Sequence, residues 1–230
     1  MQLKTKKVVF LVSGNGGSLK FIHRAIQRLG LPLEISAVVA DRDCGALAYA
    51  QATGLPCQQL RYTRNAPEAL QLALKQAAPD VVITSIHKII DAETLGLFPG
   101  RFINLHYSLL PAFKGFIGME TLEQARLLNV TILGAACHEV DELVDNGKCL
   151  SQVALGVDWA QDDTSKVYDL VFRGACLALL QGLLNRVQLL DAERPGLALL
   201  PQLGRTLLFA PALTFAANEL DEAFWQSVKL

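Results

Sequence analysis

The chain has 230 residues, 51% of them hydrophobic, and a formal net charge of -1. That length suits one well-packed globular domain with a small appendage. The balanced charge offers no field for nucleic acid or an anionic membrane, and the apolar runs are short and interrupted, which predicts no membrane span.

The start, MQLKTKKVVFLVSGNGG, pairs a basic stretch with an apolar run that stops at Gly-Asn-Gly-Gly with no small-residue cleavage site, so it reads as a first strand over Lys7–Val12. A helix follows over Ser18–Arg28, with Leu19, Ile22, Ile26 and Leu29 on one face. Glu34–Ala40 reads as a strand, Ala46–Thr53 as a helix ended by Gly54, and Cys57–Leu60 as a short strand. Pro67–Ala77 reads as a helix, and Asp80–Ser85 and Phe102–His106 as buried strands. Met119–Leu128 reads as a helix, and Val130–His138 and Cys149–Val157 as two strands joined by the acidic loop HEVDELVDNG. The DDTS signal opens a long helix from about Asp163 to Val187. After Pro195 the pattern weakens, with a late strand over Arg205–Phe209 and a terminal helix over Asn218–Val228.

This alternation predicts an α/β fold: a doubly wound, mostly parallel, Rossmann-like sheet flanked by helices. The predicted division is a catalytic domain over 1–190 and a short C-terminal extension over 191–230 packed on it. The five cysteines (Cys44, Cys57, Cys137, Cys149, Cys176) form no C-x-x-C pair. Neither a disulfide framework nor a metal site is expected, and a reduced, cytoplasmic compartment is.

In open α/β sheets, ligands bind beyond the carboxyl ends of the strands. Three segments fall there: Ser13-Gly14-Asn15-Gly16-Gly17-Ser18, the residues after DVVITS, and INLHYSLLP. The glycine loop opens a helix, where backbone N–H groups can hold an anion; equally, glycine there can serve only a tight turn. Gly14-x-Gly16 with Asp41 at the end of the second strand also suits a ribose-binding NAD(P) oxidoreductase, although Leu19 occupies the third glycine position of that fingerprint.

Asn104 and His106, two apart on a strand, share one face. With His138 and Asp145 they form a set suited to acyl transfer. The amide donates to an oxyanion, the imidazole moves a proton, and the carboxylate holds the imidazole. The plainer alternative is that Asn104 and His106 satisfy loop backbone and that Asp145-Asn146-Gly147 is a turn. His23 reads as a surface residue, and His87 as part of an exit loop that can line a cleft.

These segments, in this order, resemble the folate-dependent formyltransferase family. The resemblance rests on VVFLVSGNGGSL, PDVVITSIHKII, INLHYSLLP, HEVDELVDNG and DDTSKVYDLVFRGACLALL, and covers about residues 7–190. It implies transfer of a formyl group from 10-formyltetrahydrofolate, as cosubstrate, to an amine nitrogen by direct attack. Asn104, His106 and Asp145 would be catalytic, with His138 and Ser108 supporting. His87, Lys88, Ile89 and Ile90 would edge the pterin slot, with Val140, Asp141, Glu142, Leu143 and Val144 as the loop over it. Gly16, Gly17 and Ser18 would cradle a phosphate on the acceptor. Tyr107 stands where the family commonly carries proline, and the acceptor side departs from the family pattern. The implied acceptor is therefore a small-molecule amine, with no nucleic acid and no membrane, and the protein a monomer or homodimer. The same residues also fit a family member that binds folate without turnover.

Overall fold

The computed structural model describes residues 4–189, 194–200 and 204–229. The chain divides into two compact units. The first comprises Met1–Asn104, Val140–Glu142 and Glu222–Leu230; the second comprises Leu105–Glu139 and Leu143–Asp221. The division predicted at 190/191 lies outside the described residues.

The first unit contains β1 (Lys6–Val12), α1 (Gly17–Leu29), β2 (Leu33–Ala40), α2 (Gly45–Ala52), β3 (Cys57–Gln59), α3 (Glu68–Ala77), β4 (Val81–Ser85) and α4 (Ala92–Leu97). It also holds the start of β5 (Phe102–His106) and a final helix, α7 (Glu222–Lys229). The strands run β3-β2-β1-β4-β5, and every pair is parallel. β1 lies between two neighbours, and Val8 to Val12 are all buried, which explains the unbroken apolar run. α1 ends at Gly30 in the left-handed region (φ 59°), with the Gly30 N–H on the Ile26 carbonyl. Trp225 of α7 stacks on Phe21 of α1, with centroids 5.3 Å apart, and Phe224 meets Phe21 edge-on at 5.9 Å.

The second unit contains α5 (Glu120–Leu127), β6 (Ile132–Glu139), β7 (Cys149–Gly156), α6 (Thr164–Arg186), β8 (Gly196–Leu200) and β9 (Arg205–Ala210), then a 3-10 turn at Ala217–Glu219. Its strands run β6-β7-β9-β8, all antiparallel. The protein's sheet is thus mixed, mostly parallel and flanked by helices.

The structure departs from the sequence reading at several elements. α4 was not expected; Asp91 starts it by accepting the Thr94 N–H at 2.8 Å. β8 was not expected either, and the terminal helix is shorter, beginning at Glu222. His23 is half-buried, its Nδ1 2.9 Å from the Tyr49 hydroxyl. Against the expectation drawn from short apolar runs, α6 is long and apolar enough to cross a membrane by length and composition, but most of it is buried inside the protein, as in a core helix.

α6 starts where the Asp163 carboxylate accepts the N–H groups of Ser165 and Lys166 at 2.9 and 3.2 Å. It packs on β6 and β7 through glycines. A Cβ on Gly182 would lie 2.6 Å from Cys137 Sγ and 2.9 Å from Ser151 Oγ. Gly182→Ala should therefore destabilise the protein. Alanine's better helix preference is worth about 1 kcal/mol, whereas overpacking a closed core costs about 1–3 kcal/mol. The expected readout is a lower urea midpoint at unchanged slope.

Candidate active site

β5 ends on His106, β6 carries His138 near its end, and the loop after β6 carries Asp145. All three belong to the second unit and meet there. His106 Nδ1 lies 3.4 Å from Asp145 Oδ2, and His138 Nε2 lies 3.7 Å from Asp145 Oδ1. Both imidazoles are buried. The β6–β7 register shifts between Cys137 and His138, an irregularity of the kind that re-aims a side chain beside a site.

Backbone carbonyls fix the tautomers. His106 Nε2 is 3.0 Å from the Phe113 carbonyl, and His138 Nδ1 is 2.7 Å from the Glu139 carbonyl. A carbonyl only accepts, so each of those nitrogens bears the proton. In the neutral rings, the nitrogens facing Asp145 are therefore bare. His138 Nε2 is buried with no hydrogen-bond partner among the described residues. The carboxylate thus faces two ring nitrogens that each become a donor only on protonation. Burial pushes the His106 imidazole below its ordinary value, and the Asp145 charge and the Phe113 carbonyl oppose this without cancelling it.

Asp145 adopts a left-handed conformation (φ 53°) that Asp tolerates better than most residues. A Cβ on Gly147 would lie 1.8 Å from the Glu139 carbonyl oxygen, so the loop closes only with glycine there. The Glu139 N–H donates to the Lys148 carbonyl at 2.9 Å and completes the closure. A second loop docks on the aspartate. The Gly115 N–H donates to Asp145 Oδ2 at 2.8 Å, and Lys114 Nζ donates to Asn146 Oδ1 at 3.0 Å. Ser108, also buried, donates to the Ala112 carbonyl and shapes the turn that presents Phe113.

Sequence reasoning missed the contributions of Phe113, Gly115 and Glu139 because they act through backbone atoms. The one available signal was Gly115, which adopts φ 82°. The plainer reading of His106 is half right, since Nε2 does serve loop backbone; Nδ1 does not.

The other expected site residues lie as follows. Asn104 is half-buried on β5, paired in register with Thr84, and is the last residue of that stretch of the first unit. His87 and Ile89 are exposed, Lys88 is half-buried and Ile90 is buried. Asp141, Glu142, Leu143 and Val144 are exposed and Val140 half-buried, its N–H on the Phe102 carbonyl at 3.0 Å. Gly16, Gly17 and Ser18 open α1, and no side chain caps its first turn. Gly16 (φ 76°) is also required by packing, because its Cβ would lie 2.8 Å from that of Ala46.

Asp41 does not match the dinucleotide reading. Its carboxylate is already filled by Ser13 Oγ (2.8 Å), Arg42 Nε (3.0 Å), Arg42 Nη2 (2.9 Å) and, at 3.4 Å, Lys88 Nζ. Four donors leave no lone pair for a ribose hydroxyl.

A model of the formyl transferase family matches residues 6–179. The chain is 29% identical over 177 residues to the chloroplastic phosphoribosylglycinamide formyltransferase of Vigna unguiculata, covering 72% of this chain and 57% of that protein. It is 29% identical over 158 residues to the formyltetrahydrofolate deformylase of Escherichia coli (strain K12), covering 66% of this chain and 55% of that protein. It thus spans little more than half the length of these two curated relatives. Among solved structures, glycinamide ribonucleotide transformylase 1 from Symbiobacterium toebii superposes with a TM-score of 0.71 at 26% identity, over 79% of this chain and 87% of that one.

Proposed function

Because the chain belongs to the formyl transferase family, we propose that it transfers a formyl group from 10-formyltetrahydrofolate to an amine nitrogen of a small acceptor. The observation that carries this reading is the convergence of His106 and His138 on Asp145, with Asn104 two residues before His106 on the same strand.

In this reaction the acceptor nitrogen attacks the formyl carbon and a tetrahedral oxyanion forms. The C–N10 bond then breaks, and the proton lost by the amine ends on N10. Asn104 donates its amide to the oxyanion. His106 contributes from both nitrogens. Nε2–H donates to the formyl oxygen, taking the place of its present contact with the Phe113 carbonyl; one carbonyl oxygen replaces another. Nδ1, bare in this tautomer, takes the amine proton through water, and Asp145 stabilises the imidazolium. His138 flanks Asp145 on the other side, its Nε2 3.7 Å from Oδ1. The segments His87–Ile90 and Val140–Val144 are assigned to the pterin. The uncapped first turn of α1 is assigned to an anionic group on the acceptor. The compartment is assigned as cytoplasmic, in keeping with five free cysteines.

Neutral His106 is the working form, which sets the pH dependence. Its folded value is depressed, so kcat should rise with pH through a point below about 6.5 and stay level above it. The same depression lowers stability as pH falls through about 6.5, where the unfolded chain binds the proton first. A kcat independent of pH from about 5 to 8 would remove His106 from the proton path.

The deciding experiment incubates the protein with 10-formyltetrahydrofolate and a panel of small amines, with and without phosphate, while tetrahydrofolate release and product mass are followed. A formylated amine supports the reading. Similarity to a deformylase favours a second reading, in which water is the acceptor; formate released without any formylated amine would establish it. Folate binding without release under any condition would mark a binding protein.

A further inference from the structure

One buried carboxylate joins the carboxyl ends of β1, β2 and β4. The side chain of Asp41, the residue after β2, is only 1% exposed. Burial opposes its ionisation, but hydrogen bonds from Arg42 and Ser13 and the nearby cations together outweigh this and hold the carboxyl at about 2. Asp41 is therefore an anion throughout the working pH range.

The partners of Asp41 lead into the segment from His87 to Asp91. Ser13 Oγ donates a hydrogen bond to Asp41 and accepts one from the backbone N–H of His87 at 2.9 Å. Lys88 Nζ reaches inward to Asp41 and also donates to the Tyr62 carbonyl at 2.6 Å. The Tyr62 hydroxyl accepts the Asp91 N–H at 2.9 Å and lies 3.1 Å from both the Ile89 carbonyl and Asp91 Oδ2. The segment is thus pinned at residues 87, 88, 89 and 91, which leaves the side chains of His87 and Ile89 exposed. Ser13 is at the same time the first residue of the glycine loop, and its N–H donates to the Ser85 carbonyl at 3.1 Å.

We propose that Asp41 is a positioning residue for formyl transfer: with Ser13, Lys88 and Tyr62 it holds the 87–91 segment in its folate-binding conformation and ties that segment to the glycine loop. Lys88 is then an internal anchor rather than a ligand for the folate carboxylates. The proposal rests on the folate reading given above, and its chemistry is local. A fully paired anion under a loop fixes that loop's backbone more firmly than a solvated contact does, since its partners lose charge-assisted hydrogen bonds if they move.

Asp41→Asn keeps the size and removes the charge. The expected result is a KM for 10-formyltetrahydrofolate, and a calorimetric Kd for tetrahydrofolate, raised about tenfold or more, with kcat lowered no more than about threefold. The His87 and Asp91 amides should exchange hydrogen at least about tenfold faster, while β1 amides stay protected. Lys88→Met should raise KM to a similar extent, and Lys88→Arg should restore most of it. The double variant Asp41→Asn/Lys88→Met should be no worse than the poorer single variant, because both remove the same ion pair. Ser13→Ala, a smaller change, repeats the exchange test if Asp41→Asn fails to fold. Unchanged exchange at His87 overturns the proposal. So does unchanged affinity despite faster exchange, or additive losses in the double variant, which would make Lys88 a direct ligand. If the wild-type protein binds no tetrahydrofolate, the functional reading fails instead, and hydrogen exchange alone then decides whether Asp41 anchors the segment.

Discussion

His106→Ala and Asn104→Ala are each expected to lower formyl transfer by roughly 100- to 1,000-fold with the fold intact, the usual loss when one donor to a developing oxyanion is removed. The two should differ in their pH profiles. Asn104 carries no titrating group, so Asn104→Ala should keep the acid limb of kcat and lose only its height. His106→Ala should lose both. His106 is buried, but in its neutral form it is held by the Phe113 carbonyl and only faces the Asp145 carboxylate. Its removal should cost about 1–3 kcal/mol of stability, the penalty for leaving such partners unpaired. Circular dichroism and a denaturant midpoint separate this from loss of chemistry. Wild-type rates in both variants would dismiss the assigned roles.

Gly147→Ala is expected to abolish most activity although Gly147 carries no side chain to act in the chemistry. The added Cβ would lie 1.8 Å from the Glu139 carbonyl oxygen and 2.6 Å from its carbon, a clash with backbone rather than with a flexible side chain. The loop from 139 to 148 must shift. That carbonyl fixes the His138 tautomer, and Asp145, two residues before the glycine, already holds a left-handed φ. Displacements beyond about 0.5 Å are enough to spoil a catalytic constellation. A loss of about 100-fold or more in kcat is expected, at a smaller stability cost than Gly182→Ala, because the loop is more exposed than the α6 core. If Gly147→Ala turned over normally, the closed loop would not be the working geometry.

Much of this was legible in the chain. The two-residue spacing of Asn104 and His106 at a strand end follows from strand period alone, and the buried parallel strands follow from their unbroken apolar runs. What stayed hidden depended on tertiary partners. Asp41 was correctly placed at the mouth of the sheet, but only the fold shows that Ser13, Arg42 and Lys88 saturate it, which turns a ribose ligand into a positioning anion. The carbonyls of Phe113 and Glu139 have no side-chain signature. α4 is six residues long and contains Gly96, too short for a period to show. β8 opens on Gly196 directly after Pro195, and its place comes from pairing with β9 rather than from its own pattern. The long apolar stretch of α6 was underestimated because it is broken by Arg173 and Gln181, both buried in the fold, and by Gly174 and Gly182, which pack on neighbouring strands.

The stacking of Trp225 on Phe21 brings together residues far apart in the sequence. During synthesis on a ribosome, this face of Phe21 must therefore wait for the roughly 200 residues between α1 and α7 to follow, about 10–40 s at ordinary elongation rates. A nascent or prematurely terminated chain carries a sticky helix with no cover, and in a cell such fragments become clients of chaperones and proteases.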